Sequence, residues 1–342
     1  MLSKKNSLFY FSCFALLLSI ILTYSNHFHN SFHFDDSHTI QNNIFIRDLK
    51  NIPKFFTDAT TFSSNPSNQS YRPIVSTTLA VGYRLSGDGN PFFFHLQNFW
   101  GFLIYTLLIY LFALKIFNTT TVFPDNKFPA LFVAALFSLH PLAAETVNYI
   151  ISRSDIISSV GAMAGLVLWL YFPQKRKYGI YLLPVTIAML AKPSAAMFAP
   201  ILLFTHWKLS KDDSSGKSRI QEIKNSVIQS LPAFVLCGAL YLFIDYMTPK
   251  TWIAGGASRW DYLITQPYII LLYVRNFFFP FYLSADTDLS TFTSLAEPKA
   301  IFGFLFLVFL TVSIILTTKK KKYLPITIGL FWFLAALIPT SS

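Results

Sequence analysis

Apolar runs of Leu, Ile, Phe and Val recur along this chain, separated by short clusters of lysine and arginine. Many are close to the ~20 residues that cross ~30 Å of hydrocarbon. Of the 342 residues 53% are hydrophobic and only 13% charged. A soluble domain cannot hide that much apolar surface, because its area grows too quickly relative to its volume. The pattern predicts an all-α polytopic membrane protein, since a helix satisfies its own backbone within the bilayer. The 37 Phe and 17 Tyr add lipid-facing bulk and interfacial anchors.

A net charge of +11 raises nucleic acid as a partner. The basic residues sit between apolar runs, where cytoplasmic loops carry them, so the expected partner is the lipid bilayer and not nucleic acid. Cys13 and Cys237 both lie inside apolar runs and imply no disulfide or thiol–metal framework. Lys4 and Lys5 precede the first run as in a signal peptide, but no small-residue cleavage site follows, which favours an uncleaved first span.

Placing Lys4 and Lys5 in the cytoplasm makes Leu8 to Tyr24 the first crossing and residues 26–95 a large first outer loop. Further spans are expected over Leu96 to Phe117, from Phe128 to Leu139, and from Asp155 to the basic cluster Gln174-Lys175-Arg176-Lys177. Ile180 to Ala191 and Ala195 to Trp207 read as two short or tilted crossings around Lys192-Pro193-Ser194. Residues 208–226 form a cytoplasmic loop with a short amphipathic helix from Ser218 onward, and Val227 to Met247 leads out again. If Tyr262 to Leu283 crossed as well, Lys319 to Lys322 would fall outside, against the charge bias. That segment (262–283) is therefore expected to be an interfacial or re-entrant helix, a setting that suits Arg275 better than the bilayer centre. Ile301 to Thr317 and Tyr323 to Pro339 complete a single domain, 1–342, of about nine crossings. The chain stops just after an apolar span, which reads as a truncated product or a fragment.

With this threading a set of polar residues shares the outer face: Asp35, Asp36, His38, Arg72, His95, Asn98, His140, Glu145, Asn148, Arg153, Asp155, Lys192, Arg275 and Asp286. Charged groups beside a membrane are costly and need a reason. Asp35-Asp36 lies among aromatic and histidine residues that could raise a carboxylate pKa toward that of a general base. Adjacent carboxylates also suit a divalent cation, or a helix cap. Arg72, at a loop-to-helix junction before Pro73, is placed either to hold phosphate or to snorkel to headgroups. Glu145 and Asn148 would share one helix face, and Arg153 and Asp155 could pair structurally. Lys192, between two apolar runs, needs an anion to meet. His27, His29, His33 and His38 match no zinc spacing, so no metal site is assigned. Asn68-Gln69-Ser70 is a glycosylation sequon on the same side.

Six segments, in order, carry a resemblance. They are His33-Phe34-Asp35-Asp36; Tyr71-Arg72-Pro73-Ile74; Phe94-His95-Leu96-Gln97-Asn98; and His140-Pro141 through Glu145, Asn148 and Ser152-Arg153-Ser154-Asp155. Leu263-Ile264-Thr265-Gln266 through Pro280 and Leu283-Ser284-Ala285-Asp286, and the terminal Pro339-Thr340-Ser341-Ser342, complete the set. Together they resemble the membrane part of the transmembrane and tetratricopeptide-containing O-mannosyltransferases and their bacterial relatives, which are GT-C-fold glycosyltransferases. The resemblance implies a GT-C-like bundle and transfer of a sugar, mannose in that family, from a polyprenyl-phosphate donor to a protein or glycan acceptor, with inversion and no required cofactor. It makes Asp35 or Asp36 the base, and Arg72, Arg153 or Lys192 the group that meets the departing phosphate. His38, His95, Asn98, His140, Glu145, Asn148, Asp155, Arg275 and Asp286 would line the rest of the site. The chain departs from the family at Lys192-Pro193, where Lys-Glu is usual, and carries no tetratricopeptide repeats. The missing repeats and the Lys, Asn and Phe content favour a bacterial inner membrane over an endoplasmic reticulum. The rival readings are a transporter or flippase of lipid-linked sugar, for which no inverted repeat is visible, and a catalytically inactive scaffold.

Overall fold

Proline and capping residues set where the helices begin. Pro73, Pro91 and Pro298 each open a helix, where a missing N–H costs nothing, and the Asn90 side chain accepts from the Phe92 N–H at 2.9 Å. In the computed structural model, residues 4–87, 89–120, 123–210, 218–251, 258–281, 283–284 and 289–340 are described. The helices are α1 (Lys4–Thr23), α2 (Ile52–Phe55), α3 (Pro73–Ser86), α4 (Pro91–Phe117), α5 (Lys127–Ser138), α6 (Ala143–Asn148) and α7 (Arg153–Tyr171). They continue with α8 (Leu182–Ala191), α9 (Phe198–Leu209), α10 (Arg219–Met247), α11 (Arg259–Phe278), α12 (Pro298–Thr317) and α13 (Leu324–Leu337). No strand occurs among the described residues. The chain is an all-α polytopic membrane protein.

Among the described residues, five helical segments have the length and apolarity of a crossing: Lys5–His29, Pro91–Phe117, Ile150–Tyr171, Ile220–Met247 and Pro298–Thr317. The hydropathy pattern led to an expectation of about nine. The difference lies in α5, α8, α9 and α13, which have 12, 10, 12 and 14 residues. At ~1.5 Å per residue these rise about 15–21 Å, less than the hydrocarbon thickness. One boundary also differs. The short helix expected from Ser218 and the span from Val227 are a single helix, α10, closed at its start by a capping box between Ser218 and Gln221.

Small residues set the closest helix contacts, as they do where lipid removes the hydrophobic drive for helices to associate. A Cβ at Gly161 of α7 would stand 2.3 Å from the Pro184 carbonyl oxygen of α8. One at Gly303 of α12 would stand 2.4 Å from the Tyr268 backbone nitrogen of α11. The main core joins α7, α8, α9 and α10 through Leu166, Trp169, Val185, Met189, Phe198 and Cys237. A second core lies under the first loop, where Ile40, Ile46, Phe55 and Phe62 pack on Val75 and Leu79 of α3 and Phe94 of α4. That loop is therefore a folded cap of short turns, not an extended linker.

Two ends of the bundle can be named by their residues. At one lie the first loop, the starts of α3, α4 and α7, and Lys192; at the other lie Asn118–Thr120, Lys175–Lys177, and Lys319–Lys322 in the turn between α12 and α13. The α11 helix is held at the Asp35 end. Its Pro267–Tyr268 backbone meets Gly303 near the start of α12, and the Phe277 carbonyl accepts from His140 Nε2 at 2.8 Å.

Candidate active site

Phe34 adopts a left-handed backbone, φ 47°, the one positive φ at a non-glycine among the described residues. Such strain is uncommon and collects at functional sites. It reverses the chain just before the two aspartates, which then face different surroundings. The Asp36 carboxylate is buried, and its oxygens accept the His33 N–H at 3.1 Å and the Ile151 N–H at 3.0 Å. Burial pushes its pKa above the ordinary carboxylate value, against the pull of those two N–H groups, Arg153 and His33. Although Asp36 sits at the start of a helical turn, its side chain makes no cap bond there; it ties the first loop to the segment before α7.

Asp35 stays 57% exposed. Its backbone N–H donates to the Tyr149 hydroxyl at 3.0 Å, and its Oδ1 lies 3.2 Å from His38 Nε2. The His38 ring is fixed from its other side by Ser63 Oγ, 2.9 Å from Nδ1. The two carboxylates therefore do not stand open side by side. Burial pushes the Tyr149 phenol well up, reinforced by the nearby Asp35 and Asp36 charges, so Tyr149 stays neutral.

Asp35 opens onto a cavity of about 430 Å³. Its walls include His38, Arg72, Tyr149, Asp155 and Lys192. Arg72 occupies the position before Pro73 and α3, with its guanidinium 5.2 Å from the face of Phe62. Burial lowers its pKa, while the Asp155 and Asp35 charges act in the opposite sense. Lys192 is extended, φ −155° and ψ 125°, because the following Pro193 disfavours helix at that position and ends α8. That extension carries Nζ to 2.5 Å from Asp155 Oδ1, in the first turn of α7. The anion that Lys192 needs is thus Asp155.

Other residues expected in the site do not line this cavity. Arg153 is buried, donating to the Phe94 carbonyl at 3.1 Å, Gln97 Oε1 at 2.8 Å and the Ile150 carbonyl at 3.3 Å, and does not pair with Asp155. Asn98 donates to the Ile150 carbonyl at 3.2 Å. His95 Nε2 meets the Asn30 carbonyl, and His27 bridges the His95 carbonyl and Asn148 Oδ1, each contact at 3.0 Å. Asn148 thereby turns toward the first loop while Glu145 stays exposed, so the two do not act as one face. His140 stacks on Phe277 with ring centroids 4.8 Å apart, and Arg275 folds onto Asn276 Oδ1. Asp286 lies outside the described residues.

His140 and Phe277, with Phe102, Tyr105 and Phe137, line a second, largely apolar cavity of about 370 Å³. Asp155 borders both cavities. Contributors that the sequence did not single out include Tyr149, Gln97 and Thr248; Thr248 accepts from the Tyr71 N–H at 3.4 Å and borders the first cavity. Tyr149 stood next to Asn148 within a polar segment and was open to notice. Thr248 follows a long apolar helix and carried no such signal.

No protein-family model matches the chain, and no solved structure matches it. Curated relatives do. A protein O-mannosyl-transferase of Caenorhabditis elegans is 25% identical over 192 residues, covering 55% of this chain and 27% of the relative. Protein O-mannosyl-transferase TMTC3 of Homo sapiens is 28% identical over 157 residues, 45% of this chain and 16% of the relative. Protein O-mannosyl-transferase TMTC1 of Homo sapiens is 34% identical over 96 residues, 28% of this chain and 10% of the relative. The chain thus aligns with 27% or less of the length of these relatives. Both the ordered motifs and these independent matches make the chain similar to the TMTC-type protein O-mannosyl-transferases.

Proposed function

We propose that the chain is a membrane glycosyltransferase, built on a GT-C-like bundle, which moves a hexose such as mannose from a polyprenyl-phosphate carrier to an acceptor hydroxyl. The observation that carries this reading is the Asp35 cavity, where one exposed carboxylate shares a wall with Arg72 and Lys192. In the proposed reaction the acceptor oxygen attacks the anomeric carbon and its proton passes to Asp35. The bond from that carbon to the phosphate oxygen breaks, polyprenyl phosphate departs, and the centre inverts. Positive charge from Arg72 stabilises the departing phosphate; Lys192, already bound to Asp155, supplies the rest.

Asp36 has the weaker claim to be the base, because both its oxygens are taken by backbone N–H groups. Its role in this reading is to hold the first loop against Ile151. The apolar cavity past Asp155 suits the first isoprene units of the carrier, with the sugar on the Asp35 side. The acceptor, a protein or a glycan hydroxyl, would enter from the solvent side of the first loop.

The test is transfer of labelled mannose from dolichyl- or undecaprenyl-phosphate mannose by the protein in membranes, to endogenous acceptors. Loss of transfer in Asp35→Asn, with transfer retained in Lys175→Gln at the far end of the bundle, supports the reading. Unchanged transfer in Asp35→Asn removes the base. Donor bound but moved intact across the bilayer, with no transfer, would make the protein a transporter.

A further inference from the structure

The largest cavity described lies at the opposite end from Asp35 and has no part in the proposed reaction. It measures about 670 Å³ and opens between the end of α4, the end of α9, the start of α10 and the turn joining α12 to α13. Ligand pockets for small molecules commonly occupy ~300–1,000 Å³. Lys208, Lys319, Lys320 and Lys321 line it, against Glu222 as the single acidic group among the described lining residues. Lys208 has an interaction of its own, so Lys319, Lys320 and Lys321 against Glu222 leave an excess of two positive charges among the described lining residues.

The bland account of these lysines is that they neutralise helix C-termini. Three such ends face the cavity, those of α4, α9 and α12. Each carries about −0.5 of a charge, and the starts of α10 and α13 return about +0.5 each. The helix ends thus offset only about half of one of the two charges, leaving a surplus between about +1 and +2. That surplus matches a phosphate group. Asn118, Thr119 and Thr318 add polar groups to the walls, and Trp207 lies beneath Lys208, whose Nζ is 3.5 Å from a Trp207 ring centroid.

A second feature decides between a soluble phosphate and a lipid. Beside the lysine cavity lies an apolar groove of about 580 Å³: Asn118 and Thr327 line the cavity, and their chain neighbours Phe117 and Ile328 line the groove. Ile116 and Phe117 lead into it from α4, Ile328 and Trp332 from α13, and Met163 from α7. Gly329 borders this groove, and a Cβ built there would meet nothing within 4 Å. A cationic head site joined to an apolar trough along the bundle is the shape of an amphiphile.

We propose that the lysine cavity and this groove form one binding site for a phosphate-bearing lipid, with the phosphate among Lys208 and Lys319–Lys321 and a hydrocarbon chain between α4 and α13. The lysine cavity shares no residue with the Asp35 cavity, while Phe137 lines both the groove and the apolar cavity beside His140; the proposal stands whether or not the chain is a glycosyltransferase.

The test uses the full chain, purified in a zwitterionic detergent and stripped of lipid, with binding read by native mass spectrometry and by thermal unfolding. The probes are dioleoyl phosphatidylglycerol, dihexanoyl phosphatidylglycerol and inorganic phosphate. The native protein is expected to retain one dioleoyl lipid and to unfold several degrees higher with it. Lys319→Gln/Lys320→Gln/Lys321→Gln should weaken retention at least tenfold, whereas Lys175→Gln/Lys177→Gln, at the same end but outside the cavity, should not. Gly329→Leu fills the groove while leaving every lysine in place, so it should lose the dioleoyl lipid yet keep the dihexanoyl one. Equal retention by the native and triple-lysine proteins overturns the proposal, as does equal loss in the Lys175/Lys177 control. Inorganic phosphate matching the dioleoyl lipid in both readouts would also overturn it, making the cavity a soluble-anion site.

Discussion

The Asp36 carboxylate accepts the backbone N–H of Ile151, 115 residues further along the chain, while its neighbour Asp35 faces the open cavity. This one bond separates the duties of two adjacent, chemically identical side chains. Asp35→Asn should reduce transfer at least about 100-fold, the lower range for a lost general base. It should leave thermal stability in detergent nearly unchanged. Asp36→Asn should lower stability by about 1.5–3 kcal/mol, the scale of a hydrogen bond to a charged group. Activity should fall in step with folding.

Acid separates Asp36 from a second aspartate in the same loop. Asp36 has a raised pKa, chiefly from burial, so its folded form holds the proton more tightly than its unfolded form. Its contribution is fully present below 3.8 and is lost as pH rises through the higher folded value. Asp58 is the reverse, lowered chiefly by the Thr60 side chain; its contribution is present above 3.8 and lost as pH falls through the lower folded value. The melting-temperature gap between native protein and Asp36→Asn should therefore widen on acidification, and the gap for Asp58→Asn should narrow. Parallel changes in the two gaps would contradict this assignment.

Arg153 is held by a side-chain amide and two carbonyls in a buried cage. A lysine in its place keeps a positive charge but cannot span those acceptors with a planar fork. Each buried acceptor left unpaired costs about 1–3 kcal/mol. Arg153→Lys should thus be destabilised by at least that amount in chemical or thermal unfolding, and Gln97→Ala should be destabilised less.

The Lys192–Asp155 pair makes a prediction that only a double substitution can test. Lys192→Met leaves Asp155 unpaired beside Arg72 and the incoming phosphate, and should raise KM for the lipid donor about 10- to 100-fold, or ~1.4–2.7 kcal/mol. Asp155→Asn added to it should restore thermal stability without restoring KM. Recovery of both would make the pair purely structural.

Helix–helix contact at Gly303 is tight enough to be read by one methyl group. Gly303→Ala places Cβ against the α11 backbone, which must move away. Overpacking of this kind costs about 1–3 kcal/mol. A cysteine pair at Thr265 and Phe292, where the Phe292 N–H donates to the Thr265 hydroxyl at 2.8 Å in the native protein, should crosslink less readily in the alanine variant.

The helices were readable because hydrocarbon imposes its thickness on any segment that crosses it. Ile180–Ala191 and Ala195–Trp207, with the break at Lys192-Pro193-Ser194, emerge as α8, a short turn and α9. Proline chemistry is local, so that break could be seen in a single strip of sequence. Which partner a charge would find could not. Arg153 and Asp155 are two apart on a helix, where side chains point to nearly opposite sides, and each went to a different distant partner. The difference between Asp35 and Asp36 depends on Phe34 taking a left-handed backbone and on the remote Ile151 N–H. Neither leaves a trace in local composition. The support from His27, Asn30 and Gln97 was hidden for the same reason: each bonds across at least 50 residues.

The shortness of α8 has a consequence for the lipid around it. Its 10 residues rise about 15 Å, half of the ~30 Å hydrocarbon layer, and Lys177 and Lys192 flank it. Leu183 and Ile187 are exposed on its outer side, so the apolar band facing lipid there is narrow. Such a mismatch is relieved when the neighbouring bilayer thins, at a modest cost for each ångström. The protein should therefore be more stable, and its Lys192 site easier to reach, in short-chain lipids than in thick, sterol-rich ones. Membrane thickness would then act as a control on the site without touching any residue in it.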